Sequence, residues 1–106
     1  MNEILECVEK LNKILVDSDV YQNYLYAKKN LDTEDTKLLT EFKNLYAKFV
    51  EADKNFEYEK ILSNMYSKLM LRENTRLFLQ KELEMTQCMR QIYSGIAKNL
   101  DVELFD

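Results

Sequence analysis

NTRLFLQKELEMTQCMRQIYSGIAKNL, residues 74–100, decides the fold. Phe78, Met85, Met89, Ile92 and Ile96 recur in it at spacings of three, four and seven. Side chains return to one side of a helix at that period, so the stretch reads as one long helix. Asn74 or Thr75 supplies a short polar side chain able to cap its start. At about 1.5 Å per residue the helix would span roughly 38 Å. Leu79, Leu83, Tyr93 and Ala97 lie off the main stripe, roughly 80–160° around from Met85. Gln80, Glu84, Gln87, Gln91, Ser94 and Lys98 share the remaining arc. So wide an apolar arc exceeds what one neighbouring helix needs. Other helices of the same chain wrap it, or part of it meets another subunit.

Upstream, the pattern divides at polar breaks. A first helix is expected over residues 2–16, with Ile4, Val8, Leu11 and Leu15 as a stripe and Leu5 beside it. Cys7 and Ile14 flank that stripe on its other side. Asp17-Ser18-Asp19 then favours a turn, because these short side chains compete for nearby backbone groups. Ser18 or Asp17 caps a second helix over 19–31, carrying Val20, Tyr24, Ala27 and Leu31. Asp32 to Thr36 offers cap residues and then acids, which suit the positive end of a helix dipole. A third helix over 33–52 carries two apolar lines, Leu38, Phe42, Leu45, Phe49 and Leu39, Tyr46, Val50. Asp53-Lys54-Asn55 is a weak break where helices three and four could run together. A fourth helix over 56–71 points Leu62, Met65, Tyr66, Leu69 and Met70 inward, and Arg72-Glu73-Asn74 leads into the long helix. The tail after Leu100 is acidic, with Leu104 and Phe105 free to fray or dock.

Composition supports an all-α chain. Among 106 residues there is no Pro and one Gly, Gly95, whereas sheet turns draw heavily on both. The length fits a single domain, 1–106, able to bury roughly two-thirds of its unfolded surface. The net charge of −4 leaves no electrostatic footprint for nucleic acid. No apolar run approaches a membrane span, and the acidic start MNEILECVEK does not resemble a secretory leader. A soluble cytoplasmic protein is expected.

Little in the sequence suggests catalysis. There is no His, hence neither the commonest general base nor the commonest transition-metal ligand. Cys7 and Cys88 are far apart and neither sits in a C-x-x-C or Cys/His cluster. They are the weakest of metal candidates, and small, partly buried thiols are the simpler expectation. The acids are spread along helix surfaces. Glu6–Lys10, Glu57–Lys60 and Lys81–Glu84 fall at spacings that support exposed helices. One Gly cannot build a phosphate loop. The aromatics fall mostly on helical stripes, where packing is the expected role.

Two stretches carry a resemblance. The run SDVYQNYLYAKKNLDTEDTKLLTEFKNLYAKF resembles the front half of the YlbF/YmcA family of small helical bacterial regulators. Its marks are the turn at Asp17 to Asp19, Tyr21 and Tyr24 with Ala27, the break at Asp32 to Thr36, and Phe42 with Phe49. SKLMLRENTRLFLQKELEMTQCMRQIYSGIAKNLD resembles the second half, with Asn74 at the break before the last helix. The resemblance covers residues 4–101 and implies an all-α bundle without catalytic residues. It also implies regulatory subunits that associate with relatives of the same family. In Gram-positive bacteria such assemblies are linked to competence, biofilm formation, sporulation and control of an mRNA-decay endonuclease. Some carry an iron–sulfur cluster through cysteines near a C-terminus, whereas no cysteine follows Cys88 here.

The expectation is therefore a bundle of four to five antiparallel helices with a long C-terminal one. It would be a non-enzymatic regulator forming homo- or hetero-oligomers with related subunits, with no resident cofactor and no direct nucleic-acid or membrane partner. Leu79, Leu83, Tyr93 and Ala97 would form the partner interface, while the Met85–Met89 stripe holds the bundle. The competing expectations are a small iron–sulfur or metal-binding protein and a structural homo-oligomer with no client.

Overall fold

A computed structural model describes residues 2–53 and 56–100. The described residues form helices α1 (Asn2–Asp17), α2 (Asp19–Lys29), α3 (Thr33–Glu51), α4 (Phe56–Leu71) and α5 (Glu73–Ala97), and no strand. The all-α expectation holds, and the last helix is the longest at 25 residues.

The helix joints are built by short polar side chains. At the α1–α2 joint the Ser18 hydroxyl accepts from the Tyr21 N–H at 3.3 Å and donates to the Leu15 carbonyl at 2.6 Å. One residue thus satisfies groups at the end of one helix and the start of the next. Asp32 caps α3 in a reciprocal capping box. Its carboxylate accepts from the Asp35 N–H at 2.7 Å, and the Asp35 carboxylate accepts from the Asp32 N–H at 3.0 Å. α3 ends at Glu51 and Asp53 has φ 55°, a left-handed conformation that stops the helix. Helices three and four are therefore separate, with Lys54 and Asn55 of the expected break outside the described residues. Leu104 and Phe105 of the tail also lie outside them.

Two compact units emerge. One comprises Met1–Tyr26 with Gln80–Asp106, the other Ala27–Leu79. In the second unit α3 and α4 pack together as a helical hairpin. Among the described residues the buried apolar side chains, Ala27, Leu39, Leu62, Leu69 and Phe78, all belong to this unit. Phe42 and Tyr66 meet at a centroid distance of 6.1 Å, and the Lys43 ammonium lies 5.6 Å from the Phe78 ring centre. That ammonium distance suits a cation–π contact.

Several inward assignments are corrected. Tyr46, Val50 and Tyr66 are about half exposed, so only the Leu39 end of the second α3 line is core. On α1, Ile4 and Val8 are exposed and only Leu11 and Leu15 of the stripe are half-buried. Periodicity identifies a face but not whether anything covers it. The start of α5 also differs. The helix begins at Glu73, and Thr75 lies inside its first turn, fully buried, instead of capping it. Its hydroxyl reaches back to the Leu69 and Arg72 carbonyls and ties the α4 end to the α5 start.

Candidate functional site

In the second unit the most developed polar site is a clasp between the α3 start and the α4–α5 joint. Asp35 is 1% exposed, yet it is a carboxylate. It survives burial because its oxygens are occupied. One accepts the Asp32 N–H, and the other accepts from the Arg72 Nε at 2.7 Å. Arg72 also approaches the Asp32 carboxylate at 3.6 Å. Burial alone would raise the Asp35 pKa. The Asp32 backbone N–H, the Arg72 guanidinium and the Asn74 side chain outweigh that and hold it below its ordinary value of 3.8. The hydrogen bond to Asp35, opposed by burial, raises the Arg72 pKa, so both partners stay charged. The pairing closes the joint and leaves no proton to transfer near neutral pH. Its chemistry is that of a structural brace.

The clasp is not legible in the local sequence. By sequence Asp32 and Asp35 are helix punctuation and Arg72 is part of a connector. Their D-x-x-D spacing signals a capping box. That a cation from 37 positions away would complete it had no local signal.

The first unit presents a different surface. None of its described residues is buried. On α1, Ile4, Leu5, Val8, Ile14 and Val16 are between 44% and 67% exposed. Burial of such a side chain contributes about 1.5–3 kcal/mol, so on the order of 5 kcal/mol of apolar burial is unrealised on this helix. An apolar groove of about 490 Å³ is lined by Glu3, Ile4, Cys7, Val8, Leu11 and Ile96.

The expected interface residues fall as follows. In this unit Leu83 is 54% and Tyr93 53% exposed, with Ala97 half-buried. Leu79 belongs to the other unit and is half-buried there. Met85, Met89 and Ile92 are half-buried, but Ile96 is 60% exposed, so the stripe loses its cover before its end. Lys81 and Glu84 form the expected surface pair at 3.2 Å. The expectation of two partly buried thiols is corrected for Cys7, which is exposed on the groove; Cys88 is half-buried.

Among the described residues no three His, Cys, Asp or Glu side chains gather as a metal site would require. An iron–sulfur cluster ordinarily takes four cysteine ligands. A chain with two cysteines and no histidine does not supply that set by itself. No helix among the described residues is long and apolar enough to cross a membrane.

These features define a class: a small all-helical protein with one well-packed unit and one that exposes apolar helix surface. The family model described as control of competence regulator ComK, YlbF/YmcA, matches residues 4–101. The chain therefore belongs to the YlbF/YmcA family, as the two quoted stretches led us to expect, and the family description is that of regulatory proteins. No curated protein and no solved structure matches the chain.

Proposed function

We propose that this chain is a non-enzymatic regulatory subunit that acts by helix-mediated association with related subunits. Leu83, Tyr93 and Ala97 form the association surface on the later part of α5, and Leu79 contributes one helical turn before Leu83. The client we propose is an mRNA-decay endonuclease whose activity such an assembly modulates, with competence and related developmental programmes downstream. The supporting observation is the division of burial between the units. Among the described residues every buried side chain lies in one of them, while the other holds large apolar side chains in water. Apolar helix surface left exposed in this way is what contact with another protein would cover.

Light scattering of the chain, alone and mixed with other subunits of its family, tests the proposal. The expected result is a mass above that of the 12.7 kDa chain that falls on dilution. Leu83→Glu should weaken association at least tenfold while changing unfolding stability by no more than about 0.5 kcal/mol, as for exposed positions generally. A strict monomer under both conditions would overturn the reading. Equal loss of folding and association in Leu83→Glu would show that Leu83 is core instead of interface.

A further inference from the structure

We draw no further inference here: the strongest candidate, the exposed apolar face of α1 with the groove that Ile4, Cys7, Val8 and Leu11 form beside Ile96, carries none, because nothing in the structure shows what covers it.

Discussion

Replacing Asp35 with Asn tests whether the clasp braces the second unit. The two side chains have nearly the same shape, so the change is electrostatic. A carboxylate accepts from both the Asp32 N–H and the Arg72 Nε. An amide has one acceptor, so whichever way it turns, its NH₂ confronts one of those two donors. Losing a hydrogen bond between charged groups costs about 1.5–3 kcal/mol. Arg72 has a side chain 37% exposed and can turn toward water, so the lower half of that range applies. The Asp32 joint is also exposed, so any donor left over there finds water at small cost. The net expectation is about 2 kcal/mol. At this chain length that lowers Tm by roughly 8 °C. Denaturant and thermal unfolding of both proteins at pH 7 measure it.

The pH dependence gives an independent check. Asp35 is held below its ordinary pKa of 3.8 when folded. A group with a depressed folded-state pKa contributes stability that is complete above the unfolded value and is lost as pH falls through the folded one. The stability curves of the native chain and Asp35→Asn should therefore run parallel above the ordinary value and converge below it. Their difference isolates Asp35 from the other carboxylates that titrate in the same range. A double-mutant cycle with Arg72→Met should return a coupling of about 1 kcal/mol. Unchanged Tm together with parallel curves down to acid would refute the brace.

Other substitutions separate core from surface. Phe78→Ala, at a buried position, should cost about 3–5 kcal/mol in chemical denaturation, whereas exposed Ile96→Ala should stay within about 0.5 kcal/mol. Thr75→Val keeps the shape but removes the hydroxyl that reaches the Leu69 carbonyl, and should cost about 1–2 kcal/mol by the same measurement. Asp53→Gly relieves a non-glycine left-handed residue and should raise stability by about 0.5–1 kcal/mol; a loss in thermal unfolding would show that the Asp side chain holds the α3 end.

Much of this protein was legible in its sequence, and for local reasons. A helix is written in spacings of three and four, and its ends in the short polar residues that compete for backbone groups. The breaks at Ser18, Asp32 and Asp53 therefore fell where α1 to α4 begin or end. The diffuse helix patterns also carried the family, whose match over residues 4–101 agrees with the reading. At the start of α5 the local rule misled. Thr75 looked like a cap because of its side chain, but tertiary burial turned its hydroxyl back to the preceding helix.

The sequence determined which residues share a helix face. Only the tertiary structure decided which faces are covered. Tyr46 and Leu39 lie on one line of α3, yet one is exposed and the other is core. The same holds on α5, where Phe78 and Ile96 share a stripe and end in opposite environments. Coverage depends on residues distant in the chain, and so does the clasp, in which Arg72 satisfies an Asp35 that no local rule would have paired with it. Helical periodicity is a property of neighbours along the chain, whereas burial and ion pairing depend on which distant segments meet in space.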